Sequence, residues 1–260
     1  MGSREEETMK LEVIFDRRPA DPGLGLILYR GCSHGCRYCN VRRVDRPSNM
    51  PYDKPTKKVS KHLALERDLQ KLTLEGDIRS VFISIQGDPY DMSREDNSFT
   101  RQVLETFREC KYPFHLVTKG GTKAVRDFDL YKPSDKFGCT LTFDNPEDSL
   151  KWEPRAALPE DRIAALKEAH NLGIQTWASV EPVIYPEQSL HLIEMANDFV
   201  DSFSVGMLFR YRGATWTRAP EWPIVDWHKF RNDVEALMQS LGRQEGTGYQ
   251  LYPRLIDETR

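Results

Sequence analysis

The chain has 260 residues, 39% of them hydrophobic and 30% charged, with 37 Lys and Arg against 40 Asp and Glu for a formal net charge of −3. That length buries a sizeable core, and the mild acidity excludes a surface built wholly for nucleic acid while leaving room for a local basic patch. No apolar run reaches the ~20 residues a membrane helix requires, and the opening MGSREEETMK lacks the apolar core of a signal peptide, so the expectation is a reducing, cytoplasmic compartment and no membrane partner.

Strand-like and helix-like segments then alternate. LGLILYR (24–30) reads as a buried strand that runs straight into GCSHGCRYCN (31–40), where Cys32, Cys36 and Cys39 supply three of the five cysteines. The polar stretch 41–71 holds nine Lys and Arg against four Asp and Glu. Within it a helix starts near Lys61, with Leu65, Leu69 and Leu72 at i, i+4 and i+7. SVFISIQG (80–87) is a second strand, and Val103 and Phe107 mark the helix after it. FHLVTKGG (114–121), FGCTLTF (137–143), IQTWASVEPVI (174–184) and DSFSVGML (201–208) are the remaining strands. Helices are expected near 159–171, 187–198 and 226–241, the last with Phe230, Val234, Leu237 and Leu241 along one face.

Strands that are each followed by a helix imply an α/β fold, with a parallel sheet and right-handed crossovers. No linker-like stretch divides the chain. The expected organisation is an N-terminal extension over 1–23, one domain over 24–241 and a tail over 242–260. The alternation suits an open doubly wound sheet and a curved, incomplete barrel equally well. Both put chemistry at the carboxyl ends of the strands, and the unusual residues fall there. The cysteines follow the first strand, Gly87 and Asp88 the second, and Thr118 and Lys119 the third. Thr142 and Asp144 follow the fourth, and Ser179 and Glu181 lie near the end of the fifth.

A closed zinc site wants four ligands, commonly two pairs separated by a longer loop. Here Cys110 and Cys139 are singletons, and His34, between two of the clustered cysteines, closes a tetrahedron awkwardly. Three thiolates on one short loop suit a cubane cluster, which takes one cysteine per iron and leaves one iron open. A structural zinc knuckle is the competing reading.

The spacing Cys32-x3-Cys36-x2-Cys39, with Tyr38 before the last cysteine, resembles the signature of the radical S-adenosylmethionine (SAM) superfamily. The segments YRGCSHGCRYC (29–39), GDPY (87–90), LVTKG (116–120), EPRAALPEDRIAALKEAHNLGI (153–174), EPVI (181–184), VDSFSVGML (200–208) and VDWHKF (225–230) fall in the order seen in its spore photoproduct lyase-like branch. The similarity runs from about residue 24 to 240. It implies a partial (β/α)6 TIM-like barrel of parallel strands, a [4Fe–4S] cluster on Cys32, Cys36 and Cys39, and SAM on the fourth iron. The branch is functionally mixed, so lyase activity does not carry over with the motif.

The resemblance also implies roles for single residues. QGD (86–88) occupies the place of the superfamily's Gly-Gly-Glu motif, with Gln86 for the first glycine and Asp88 for the glutamate, which shifts work onto the Gly87 carbonyl. Lys119 would pair with the SAM carboxylate, as a point cation suits that group. Ser179 and Glu181 would meet the ribose hydroxyls and the methionine end, Tyr38 would pack beside the adenine, and Thr118 and Thr142 would face the same mouth. Cys139 invites comparison with the lyase's hydrogen-donating thiol, against its plainer reading as a small core residue. Arg155 is expected to partner Glu153 or another acid near the mouth.

For the substrate, LFRYRGATWTRAPEW (208–222) interleaves Arg210, Arg212 and Arg218 with Phe209, Tyr211 and Trp216. That is the composition of a platform for phosphates and stacked bases, or of a loop closing over a small anionic substrate. The expected function is a radical SAM enzyme acting on a nucleic-acid or nucleotide base, reduced by a donor such as flavodoxin or ferredoxin. The alternatives are a small-metabolite or peptide isomerase or modifying enzyme, and an iron–sulfur binding or sensor protein.

Overall fold

Short apolar strands carry the architecture, each sending alternate side chains to opposite faces of one sheet. The computed structural model describes residues 11–17, 23–39, 41, 52–57, 62–84, 86–207 and 225–251. The strands are β1 (Ile14–Asp16), β2 (Leu24–Leu26), β3 (Tyr29–Arg30), β4 (Thr56–Lys57), β5 (Val81–Ile83), β6 (Phe114–Thr118), β7 (Lys136–Thr140), β8 (Gln175–Val180), β9 (Ser202–Val205) and β10 (Tyr249–Leu251). Eight of them form one sheet in the order β1-β2-β5-β6-β7-β8-β9-β10, and β3 pairs with β4 separately. Every neighbouring pair from β2 to β10 is parallel, while β1 lies antiparallel to β2. This is the mostly parallel sheet of a partial TIM-like barrel, and every expected strand contributes to it, although LGLILYR (24–30) splits: Leu24–Leu26 joins the sheet and Tyr29–Arg30 leaves it to pair with β4.

Helices cover one face: α1 (His62–Leu74), α2 (Ser98–Glu109), a 3₁₀ helix (Gly121–Leu130), α3 (Pro146–Trp152), α4 (Pro159–Asn171), α5 (Pro186–Ala196) and α6 (Trp227–Ser240). Local chemistry sets their ends. Pro159 and Pro186 occupy the first turn of α4 and α5, where the missing N–H costs nothing. Beyond α4, Gly173 takes φ +75°. Its N–H bonds to His170 O at 2.9 Å, and the Ile174 N–H bonds to Ala169 O at 3.0 Å. That is a Schellman stop, and it demands glycine at this position. The Asp226 side chain caps α6 by accepting from the Lys229 N–H at 3.0 Å.

Two elements depart from the expected organisation. The extension contributes β1, and the tail contributes β10, which adds to β9 with Tyr249 opposite Phe203. The 3₁₀ helix and α3 were not legible in the helical periodicity either. The first begins on paired glycines. The second has only one buried aromatic, Trp152, and rests on its Asn145 cap, which accepts from the Asp148 N–H at 2.9 Å.

Register decides which side chains face the lumen. Phe137 packs on Phe128 of the helical layer at 4.7 Å between ring centroids, so its alternates, including Cys139, also face the helices. Cys139 is aligned with Thr118 and Ala178 and is 0% exposed within the core. The hydrogen-donor reading of Cys139 is therefore corrected: its thiol points away from the lumen and is a small core group. The opposite rows line the lumen. Val117, Gly138, Trp177 and Ser202 are in register, and above them Thr140, Ser179 and Ser204. A Cβ on Gly138 would lie 2.4 Å from the Trp177 indole nitrogen, so the indole lies flat on bare backbone. With Phe82 and His115, 4.9 Å apart between ring centroids, Trp177 forms an aromatic floor. Burial pushes the His115 imidazole down to about 3, helped by Arg17 and Lys136, so it is neutral there.

Candidate active site

The cysteine loop is held from three sides. Gly31 at φ +86° brings the backbone so close to Tyr52 that a Cβ would meet its carbonyl at 2.5 Å, and the Cys32 N–H donates to that carbonyl at 2.8 Å. From the end of α3, Trp152 O accepts the Arg37 N–H at 2.8 Å. The Arg155 N–H donates to His34 O at 3.1 Å, and the Arg155 guanidinium donates to Ser33 O. From the turn after β5, buried Asp91 accepts from the Ser33 N–H at 2.6 Å and from the Ser33 hydroxyl. Among the described residues Arg155 thus pairs with neither Glu153 nor another acid, as one of its two expected roles required: the Arg155 guanidinium is spent on the cysteine loop.

Glu153 pairs with Arg162 of α4, and both are 1% exposed. The Arg162 guanidinium also donates to Ala157 O at 2.8 Å and Thr140 O at 3.0 Å. The other Glu153 carboxylate oxygen accepts from the Tyr38 hydroxyl. Burial works to raise the Glu153 carboxyl, but the charges of Arg162 and Lys119 outweigh it and hold the group below the usual carboxylate range. Sequence reasoning missed this pair, although a signal was there. Arg162, Ala165, Leu166 and Ala169 share the buried stripe of α4, and an arginine on a buried stripe requires an acid.

Cys32, Cys36 and Cys39 are free, half-buried thiols on one loop. Burial pushes the Cys36 thiol up to about 12, and pushes Cys32 higher still, so both need a cation to become thiolates. Iron is such a cation, and this soft donor set fits a cubane with one cysteine per iron. A zinc site drawing on His34 fits poorly. Cys32 Sγ, a His34 nitrogen and an Asp91 oxygen do lie within 4.8 Å of one another. Yet His34 Nε2 accepts the Met92 N–H at 3.1 Å, and Asp91 is occupied by Ser33 and Ser93. Those two side chains are scaffold.

The residues expected at the mouth separate into two groups. Tyr38, Asp88, Thr118 and Thr142 are buried, with their polar atoms used inside the protein. Asp88 accepts from the Thr118 hydroxyl at 2.5 Å, the Tyr90 N–H at 2.8 Å and the Lys119 N–H at 2.8 Å. It therefore ties the turn after β5 to the end of β6. Thr142 Oγ1 lies 3.3 Å from the Tyr38 hydroxyl and 3.5 Å from Glu181 O. Gly87 is needed for close approach, since a Cβ there would lie 2.6 Å from Gly31 O.

Lys119, Ser179 and Glu181 form the second group and stay half-buried. The Lys119 ammonium sits 5.5 Å from the Tyr38 ring centroid. It is close enough to Cys36, Glu153 and Glu181 to favour the charged form of each, and among the described residues it makes no ion pair. Glu181 Oε1 accepts from the Ser204 hydroxyl at 2.7 Å, and a Cβ on Gly206 would meet the Glu181 carboxyl carbon at 2.9 Å. Burial pushes the Glu181 carboxyl up to about 7, against the opposing pull of Ser204, Lys119 and Arg17. Sequence reasoning missed Ser204, which alternation along β9 would have indicated, and Tyr52, for which it held no signal. Arg210, Arg212 and Trp216 lie outside the described residues.

A family model described as the radical SAM superfamily matches residues 26–200. An uncharacterized protein of Methanocaldococcus jannaschii is 28% identical over 168 residues, which cover 63% of this chain and 62% of that protein. An uncharacterized protein of Mycobacterium tuberculosis is 23% identical over 202 residues, 72% of this chain and 58% of that one. The chain thus spans about three fifths of the length of these relatives. Among solved structures, spore photoproduct lyase complexed with dinucleoside spore photoproduct has a TM-score of 0.66 at 15% identity, covering 95% of this chain and 80% of that one. Streptococcus suis SuiB bound to S-adenosylmethionine has a TM-score of 0.63 at 16% identity, covering 87% and 49%. SuiB bound to its precursor peptide SuiA gives 0.64 at 17%, covering 87% and 48%. These likenesses concern the fold.

Proposed function

The chain belongs to the radical SAM superfamily, and from that premise we propose that it is a radical SAM enzyme acting on a nucleic-acid or nucleotide base. The family's cofactors are a [4Fe–4S] cluster and SAM. When bound and reduced, they supply a one-electron cleavage of a SAM carbon–sulfur bond, giving methionine and a 5′-deoxyadenosyl radical that takes hydrogen from the substrate. Everything else falls to the protein, which must bind, orient and exclude water.

Cys32, Cys36 and Cys39 would hold the cluster. The observation that carries the reading is their convergence with a half-buried Lys119 that makes no ion pair among the described residues, and with the Ser179–Glu181–Ser204 face. Lys119 would receive the SAM carboxylate, and the Gly87 carbonyl would accept from its amino group. Ser179 and Glu181 would take the ribose hydroxyls and the methionine end. Because burial raises its carboxyl to about 7, Glu181 would be able to hold a proton near neutral pH and to serve as donor as well as acceptor. The electron donor would be a flavodoxin or ferredoxin.

Lys119→Ala should weaken SAM binding by about 1.5–3 kcal/mol, the usual worth of a hydrogen bond to a charged group, without loss of iron. Titration of the reconstituted protein with SAM checks this. An unchanged Kd would assign Lys119 to the scaffold.

Support for a nucleic-acid substrate comes from the arginine–aromatic interleaving of 208–222 and from the fold shared with a protein whose structure holds a dinucleoside photoproduct. The fold shared with the peptide-bound SuiB supports a second reading, a peptide or small-molecule substrate. Binding of single- and double-stranded DNA, RNA and mononucleotides at two ionic strengths separates them. Phosphate contacts release counterions and make affinity fall with salt. Arg210→Ala and Trp216→Ala should lower that affinity and spare the slow, substrate-free formation of 5′-deoxyadenosine. No binding to any of these, with both variants fully active on another substrate, would leave the second reading. No 5′-deoxyadenosine from reduced, cluster-loaded protein would favour the sensor instead.

A further inference from the structure

Tyr52 precedes β4 and touches both halves of the candidate site. Its carbonyl accepts the Cys32 N–H at 2.8 Å. Its hydroxyl lies 3.8 Å from Cys39 Sγ and donates to Gln86 O at 3.0 Å. One residue therefore holds the first cysteine by its backbone, reaches the last cysteine by its side chain, and satisfies a carbonyl of the turn where SAM is expected.

We propose that Tyr52 is a positioning residue that donates its hydroxyl to the Cys39 thiolate of the loaded cluster and thereby raises the cluster's reduction potential. The inference rests on reading the three cysteines as cluster ligands. A phenol has one proton to give. With Cys39 as a neutral thiol, the Gln86 carbonyl holds that proton. Once Cys39 is a thiolate, the charged acceptor makes a bond roughly twice as strong, and a rotation of the hydroxyl delivers it to sulfur. A donor on a ligand sulfur withdraws charge and favours the reduced, more negative state. The same rotation frees the Gln86 carbonyl, beside Gly87, to accept from an incoming ammonium group. Filling the cluster thus readies the turn for SAM.

The test compares wild type with Tyr52→Phe, both reconstituted anaerobically, by iron and sulfide content and by an electron paramagnetic resonance redox titration without SAM. The expected result is equal iron and a lower midpoint in the variant. At the wild-type midpoint, the ratio of reduced to oxidised cluster should fall about tenfold, which for one electron is about 59 mV. Wild type that loads no cluster would overturn the cluster reading itself. Equal loading with equal midpoints would overturn the role of Tyr52 alone. Should Tyr52→Phe fail to load, a fluorotyrosine at position 52 keeps the ring and carries a more acidic, stronger donor. Its midpoint should rise, and an unmoved midpoint would overturn the proposal.

Discussion

Protein isolated without oxygen should be brown and carry about four irons per chain when fully loaded, and Cys32→Ala, Cys36→Ala or Cys39→Ala should each abolish both colour and iron. The three thiols share one loop, and each would serve a different iron. Losing one leaves an iron open to water in a site that burial already makes hostile to unpaired thiolate. Cys110→Ala and Cys139→Ala should keep the cluster. Cys110 terminates α2, away from the cysteine loop, and Cys139 faces the helical layer at 0% exposure. Iron analysis and the visible spectrum of anaerobic material decide the matter. Stoichiometric zinc with no visible absorbance would sink the cluster reading, since a closed tetrahedral site would then have found its fourth ligand elsewhere.

Much of this was legible because the chemistry sits where periodicity is strongest. The strands that bring residues to the mouth are apolar runs, most of them rich in β-branched or aromatic residues, each closed by glycine or a charged residue. The cysteine spacing is local, so no register was needed to read it. What alternation along a strand could not tell was which alternate faced inward. That took Phe137 packing on Phe128, which turned Cys139 outward. Partners chosen by three-dimensional approach were also hidden. Glu153 has Arg155 two residues away, yet it pairs with Arg162, because the backbone between them delivers Arg155 to the cysteine loop. Tyr52 lay in a polar stretch with no pattern of its own. Its importance depends on Gly31 permitting an approach that a Cβ would block. Three-residue strands such as β1 and β10 are too short to show alternation, and tertiary pairing alone makes them strands.

Arg162→Met should destabilise the protein by about 3–5 kcal/mol, the cost of breaking a buried ion pair and stranding one charge. For a chain of this size that is a fall in Tm of roughly 6–20 °C. The guanidinium holds three acceptors at once, the Glu153 carboxylate, Ala157 O and Thr140 O, and methionine satisfies none of them. The sign of the pH dependence follows from Glu153. Its folded-state carboxyl is held below the ordinary range. The pair therefore adds stability above the unfolded-state value and loses it as pH falls through the folded-state value. Unfolding curves of wild type and variant should converge in acid and separate at neutral pH. Adding Glu153→Gln to Arg162→Met removes the stranded charge and should recover part of the loss. The consequence reaches the cofactor site, because the Tyr38 hydroxyl also rests on Glu153, and Tyr38 lies between Cys36 and Cys39. Arg162→Met should accordingly retain less iron on reconstitution, while the double variant regains stability before it regains iron. A loss under about 1 kcal/mol, the scale of a solvent-exposed pair, would mean that water reaches these groups and that the cysteine loop is held by Tyr52, Trp152, Arg155 and Asp91 without help from the Glu153–Arg162 pair.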